Sequence, residues 1–153
     1  MVGARCSSFY HQYLHRGADG AGLASWVPFL QRGNTTQALA ELLVSSPEYK
    51  TAHAANLLAA LHADVFNRSL DAGGRAAFQP LLNTGVTPGQ VMTMLFNSIE
   101  YQQDEVRADY QLILHRQADA GGLHAWQQAL QHGLTDEALR AQLLMSEEHL
   151  ASL

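Results

Sequence analysis

The sequence predicts an all-α fold, built from three related helical units of about fifty residues packed as one helical-repeat or bundle domain. Three observations carry that expectation. Apolar residues recur at helical rather than alternating spacing along the whole chain, and no segment has a convincing strand pattern. One stretch, His15 to Trp26, returns as Asn67 to Phe78 and again as His115 to Trp126, with the skeleton Arg-x-x-Asp-x-x-Gly-x-x-x-aromatic. Further landmarks keep fixed distances from the Asp of each copy. A glycine follows at 33, 85 and 133, a threonine at 35, 87 and 135, and a serine at 46, 98 and 146. A period near fifty that is helical throughout points to a helical repeat or a compact bundle.

The elements follow in order. Residues 4 to 16 form the first helix, with Phe9, Tyr13 and Arg16 on one face, and Gly17 is expected to stop it. Asp19 suits an N-cap, accepting from free amides at the positive end of the helix dipole. The second helix, about 20 to 32, is expected to bury Leu23, Trp26, Val27 and Leu30, to be disturbed at Pro28 and to end at Gly33. Thr35 caps a third helix with Leu39, Leu42 and Leu43 inward. Ser46-Pro47-Glu48 begins a long helix expected to run about twenty residues, through Tyr49, Ala52, Asn56, Leu57, Ala60 and Leu61 to Phe66.

The second unit repeats the order. Asp71 starts a helix with Phe78, Pro80 and Leu82, Gly85 ends it, and Thr87-Pro88-Gly89-Gln90 reads as a capping box. Ser98 opens another long helix through Val106, Tyr110 and Ile113. The third unit has Asp119, Trp126, Gly133, Thr135 and Ser146, and Leu153 lies one or two turns into a next connecting helix. The units span about 4–50, 51–102 and 103–153, nine or ten helices in all. Copies are offset by 52 residues (19 to 71) and then 48 (71 to 119), so any insertion or deletion falls in a connecting helix.

Composition bounds the function. The chain has 153 residues, 47% hydrophobic and 15% charged, which is a globular balance and long enough for its own core. The net charge of −5 is mild, and nine basic residues spread without a stripe argue against nucleic acid. No apolar run approaches the roughly 20 residues that span a bilayer. Met1 to Arg5 lacks the apolar core of a signal peptide, which fits a cytoplasmic protein or a domain excised from a secreted one. Cys6 is alone, so no intrachain disulfide or thiolate cluster is expected, and it reads as incidental in an N-terminal turn.

The recurring residues admit chemical and structural readings. The pairs Arg16/Asp19, Arg68/Asp71 and Arg116/Asp119 fit a ligand or metal site repeated three times, or an Arg closing one helix beside the Asp that caps the next. The structural reading is preferred because such a cap needs no ligand. Asp19-Gly20-Ala21-Gly22 resembles the start of a calcium loop, but the further oxygen ligands and closing Glu are missing. Gly22, Gly74 and Gly122 fall inside helices, where glycine is unfavourable, and imply close approach of another helix. Trp26, Phe78 and Trp126 read as core anchors, or as a sugar-stacking platform if the rings are exposed. His11 and His15 stand four apart on one helix and could hold a transition metal, but no third ligand is evident. The other histidines share no repeat position, except that His15 and His115 correspond. Glu48, Glu100 and Glu148 sit at equivalent helix starts, where the dipole accounts for them. No nucleophile elbow, P-loop or dinucleotide fingerprint is present, so no catalytic residues are assigned.

The chain resembles the bacterial family called domain of unknown function 4214, whose unit reads approximately Tyr-x-x-Leu-x-Gly-Arg-x-Pro-Asp-x-x-Gly-Leu-x-x-Trp, then a Gly and Ser-Pro-Glu-aromatic. The first copy carries Tyr10, Leu14, Arg16, Asp19, Gly22, Leu23, Trp26, Gly33 and Ser46-Pro47-Glu48-Tyr49. The third carries Tyr110, Leu114, Arg116, Asp119, Gly122, Leu123 and Trp126. The second is degenerate, with Arg75 for Leu and Phe78 for Trp, and the usual Pro is Ala18, Leu70 or Ala118. The unit is also similar to helical linker domains of phycobilisomes. The resemblance implies a non-enzymatic interaction or scaffolding module of a bacterial, extracellular or surface-layer-like protein, without cofactor. Its partner would be another protein or a second copy. The alternatives are a glycan- or calcium-binding module, or an accessory domain of a glycosyltransferase.

Overall fold

The computed structural model describes residues 2–151, with side chains from Ser7 onward, so Cys6 lies outside the described side chains. The fold is all-α, with eleven helices and no strand among the described residues. They are α1 (Val2–Leu14), α2 (Gly20–Gln31), α3 (Thr36–Ser45), α4 (Pro47–Ala52), α5 (Leu57–Phe66), α6 (Ala72–Asn83), α7 (Pro88–Phe96), α8 (Ile99–Ile113), α9 (Ala120–Gln131), α10 (Asp136–Leu144) and α11 (Glu147–Leu150). The contacts divide the chain into two compact units, Met1–Phe96 and Asn97–Leu153.

The caps form as their residues dictate. Asp19, Asp71 and Asp119 each sit in extended backbone and accept from the amide of the glycine three residues on, at 2.7 Å in every case. Thr35 and Thr135 cap α3 and α10 in the same way, and Ser46, Ser98 and Ser146 cap α4, α8 and α11. Thr87 and Gln90 exchange both bonds of the capping box. Gly33, Gly85 and Gly133 follow their helices at φ between 87° and 98°, a region costly for any residue with a Cβ.

Five expectations are corrected, the first being the helix count, eleven among the described residues where nine or ten are expected. The first helix stops at Leu14, before Gly17, because His15 turns left-handed at φ 52° and the Arg16 amide reaches back to the Tyr10 carbonyl. Asn67 and His115 do the same at the corresponding places, and Asn and His are among the side chains that tolerate this conformation. The twenty-residue helix from Pro47 is broken into α4 and α5 by residues 53–56, where His53 packs against Tyr49 and Asn56 adopts φ −154°. This connection is four residues longer than the next, and the extra four are left out of the helices, whereas α8 runs unbroken from Ile99. Leu42 points outward, 45% exposed, and Ala40 and Val44 take the inward places beside Leu39 and Leu43. Leu23, Trp26, Val27 and Leu30 are half-buried rather than buried.

In the first unit, α1 packs on α2 and α3, α5 packs on α7, and α3 and α7 share the most extensive helix contact among the described residues. Its buried residues include Tyr13, Leu39, Leu43, Tyr49, Leu61 and Val91. In the second unit, α8 packs on α9 and α10 around Val106, Tyr110, Ile113, Leu130, Leu139 and Leu143, with Trp126 lying half-buried against this cluster.

Candidate functional site

The site built from the repeated residues is a corner between two helices, and it is best seen in the first and third copies. At the first, the Arg16 guanidinium lies 4.9 Å from the Tyr10 ring centroid. It reaches Asp19 Oδ2 at 3.5 Å, and donates to both oxygens of Glu48 at 2.6 and 2.9 Å. Trp26 Nε1 donates to the Tyr10 hydroxyl at 2.9 Å. The third copy repeats this. Arg116 lies 5.0 Å from the Tyr110 centroid, pairs with Asp119 at 3.9 Å and forks onto Glu148, and Trp126 Nε1 donates to the Tyr110 hydroxyl at 3.1 Å. The Arg fork holds the Glu48 and Glu148 carboxyls below the usual carboxylate range, through hydrogen bonding first.

The glycines have a physical reason. A Cβ on Gly22 would stand 2.7 Å from Tyr10 Cζ, and one on Gly122 would stand 2.5 Å from the Tyr110 hydroxyl. The element that approaches is therefore the tyrosine of the preceding helix. In the second copy His62 occupies the tyrosine place, nine residues before Asp71, while Phe78 replaces the Trp. The indole donor and its hydroxyl acceptor are absent together. Gly74 faces Leu70 Cδ1, 2.9 Å from a Cβ there, and Arg68 stacks 5.4 Å from the Phe66 centroid and pairs with Asp71 at 3.2 Å. The Gly74 amide, and secondarily Arg68, hold the Asp71 carboxyl low.

The Arg, Asp and Gly of the three copies and the two Trp thus stand at the corners, while Phe78 is half-buried, and the partners that complete the first and third corners carry no local motif. Glu48 and Glu148 are not only dipole residues: each is 32 positions after the Arg it clasps, a constant spacing that was the available signal. The sequence places Tyr10 and Tyr110 on helices and in the family motif, with nothing to mark their hydroxyls as acceptors for the indoles.

A second polar group, in the second unit, had no sequence signal. Arg140 donates to Asp109 at 2.8 Å and to Glu105 at 2.7 Å, while Tyr101 donates to Asp136 at 3.3 Å. Asp109 is 1% exposed and its Oδ2 has no hydrogen-bond partner. Burial, with Asp136 nearby, pushes the Glu105 carboxyl up to about 7 against the opposing pull of Arg140.

His11 is exposed, and His15 sets its ring edge-on to His53, 5.7 Å between centroids. Beside them Tyr49 donates to Asp64 at 2.7 Å, and burial raises that carboxyl. Among the described residues no three His, Cys, Asp or Glu side chains are placed to share a metal ion. No described helix is long and apolar enough to cross a membrane. Two shallow clefts of about 370 and 380 Å³ lie in the first unit. One borders Ala54, Ala55 and Asn56 of the break with Arg75 and Gln79, and the other runs between α3 and α7. No family model matches the sequence, and neither the curated proteins nor the solved structures compared with it gave a match.

Proposed function

We infer that this chain is a non-enzymatic interaction or scaffolding module, of the kind implied by its resemblance to the domain of unknown function 4214 family of bacterial surface and secreted proteins. The observation that carries the reading is the apolar surface of the second unit. Ile99, Leu112, Leu144, Met145 and Leu150 are 55, 70, 47, 77 and 58% exposed there, and burying large apolar side chains of this kind against another macromolecule is favourable. The corners support it from the other side, since their charged and indole groups are bonded to one another. A sugar platform would need Trp26 and Trp126, whose rings are half-buried and whose N–H groups are engaged by tyrosine. A calcium loop would need Asp19, whose Oδ1 already holds the Gly22 amide.

The test is affinity capture with the immobilised chain beside its Leu144→Glu/Met145→Glu variant. A partner held by the first and lost by the second, with unchanged helical circular dichroism, is the expected result. Equal capture by both sinks the reading. A melting temperature raised by millimolar calcium would favour the calcium-binding alternative instead.

A further inference from the structure

The first unit contains two contacts in which a residue meets its own counterpart. Gln12 Nε2 donates to the Asp64 carbonyl at 2.7 Å, and Thr93 Oγ1 donates to Glu41 Oε1 at 2.8 Å. Both pairs are 52 residues apart, the offset between Asp19 and Asp71. Gln12 and Asp64 each stand seven residues before their Asp, and Glu41 and Thr93 each stand twenty-two after. Gly89 also meets Ser45, so the beginning of α7 lies against the end of α3 and the two run antiparallel. Equal positions meeting across antiparallel helices are the signature of an isologous contact, here made inside one chain. The first two copies are paired about a local two-fold axis that passes near positions 12/64 and 41/93.

The third copy carries the same positions at Leu112 and Ala141. Both are exposed, Leu112 by 70%. Near them in sequence Ala108 and Gln111 on α8, Gln142 on α10 and Met145 just after it are exposed too, and none of the six is charged. Where the first unit places polar groups on the axis, the second presents apolar ones, which can meet identical groups without like-charge repulsion.

We propose that two copies of this chain pair through their second units, in the isologous arrangement α3 and α7 adopt within the first, with Leu112 and Ala141 on the axis. The proposal rests on the interaction-module reading and names its partner as a second copy. The occupant follows from the internal pairing: the face engaged by α3 and α7 on each other recurs on α10, and the equivalent helix still open to it is the α10 of another chain. An axis position faces itself, so Ala141 would stand close to its own counterpart.

Sedimentation velocity on the full chain at about 50 μM tests it, a concentration at which a micromolar dimer is well populated. The wild type should sediment as a dimer. Leu112→Glu/Ala141→Glu should weaken the dimer at least about tenfold while keeping the helical circular dichroism. In a Cys6→Ser background, Ala141→Cys should oxidise to a covalent dimer, because a disulfide needs Cα atoms within about 7 Å. Ala125→Cys, on the exposed side of α9, should not. A monomeric wild type, a dimer indifferent to the two glutamates, or equal cross-linking at 125 and 141 each overturn the proposal. None of those outcomes touches the capture experiment, whose result judges the broader reading separately.

Discussion

Tyr10 and Trp26 sit sixteen residues apart and are joined by one hydrogen bond, indole to phenol, that Trp126 and Tyr110 reproduce at the same separation. The indole N–H is a donor without an acceptor function, so a half-buried Trp needs the hydroxyl, whereas a Phe does not. That explains why the second copy changes both members at once, to His62 and Phe78. Removing one partner is expected to cost about 1 kcal/mol. Trp126→Phe and Tyr110→Phe should each lower the denaturation midpoint, and the double variant should lose less than their sum. Additive losses would show that the two rings are coupled only through packing.

The glycines of the corner predict opposite signs for one substitution. Gly20 and Gly22 both lie in the first turn of α2, and a Cβ at Gly20 meets nothing within 4 Å. Gly20→Ala should therefore stabilise by about 0.5–1 kcal/mol, chiefly by restricting the unfolded chain. Gly22→Ala has the same propensity advantage but places its methyl against the Tyr10 ring, which is fixed by Trp26 and by the stacked Arg16. It should destabilise, and Gly22→Ala/Tyr10→Phe should recover part of the loss by removing the hydroxyl that the methyl meets. Thermal melts of the four proteins decide this.

Much of the backbone was legible for a local reason. An N-cap, a capping box and a glycine at positive φ each act within four residues, so Asp19, Thr35, Gly33 and Ser46 announce themselves in one dimension. The corner's ionic half leaves only the constant 32-residue spacing as a signal, because Glu48 reaches Arg16 after α2 and α3 have folded back. Gly17 predicts the end of the first helix by its low helix propensity, but the chain turns left-handed two residues earlier, at His15. Half-burial of Trp26 and outward placement of Leu42 depend on which stripe of each helix meets a neighbour, a tertiary choice that helical periodicity alone leaves open. The cluster of Glu105, Asp109 and Arg140 has no motif at all, since its members come together through the packing of α8 on α10.

The break in the first connection should be its weak point. Ala54, Ala55 and Asn56 are exposed, lie between helices, and Asn56 makes no side-chain cap for α5. Exposed non-helical backbone is where proteases bind first. Elastase under native conditions should cut after Ala54 or Ala55 before any site in α8, as read by mass spectrometry of the early fragments. First cleavage within α8 would show that the four additional residues are as well held as the helix they interrupt.

The pH dependence of stability should carry the mark of Glu105. Its carboxyl titrates at about 7 in the folded chain against 4.5 ordinarily, because burial and Asp136 outweigh Arg140. The folded state therefore holds this proton more tightly than the unfolded state. The stability it contributes is complete below about pH 4.5 and is lost as pH rises through about 7. The loss is on the order of 2–3 kcal/mol over that window. Glu48 and Glu148 act in the opposite sense and lower down, since their depressed carboxyls contribute stability that is lost as pH falls below the ordinary carboxylate range. Between pH 5 and 7.5 the two effects are separated, and Glu105→Gln, which cannot ionise, should flatten the fall in melting temperature there. An unchanged slope in that variant would place the pH response elsewhere in the chain.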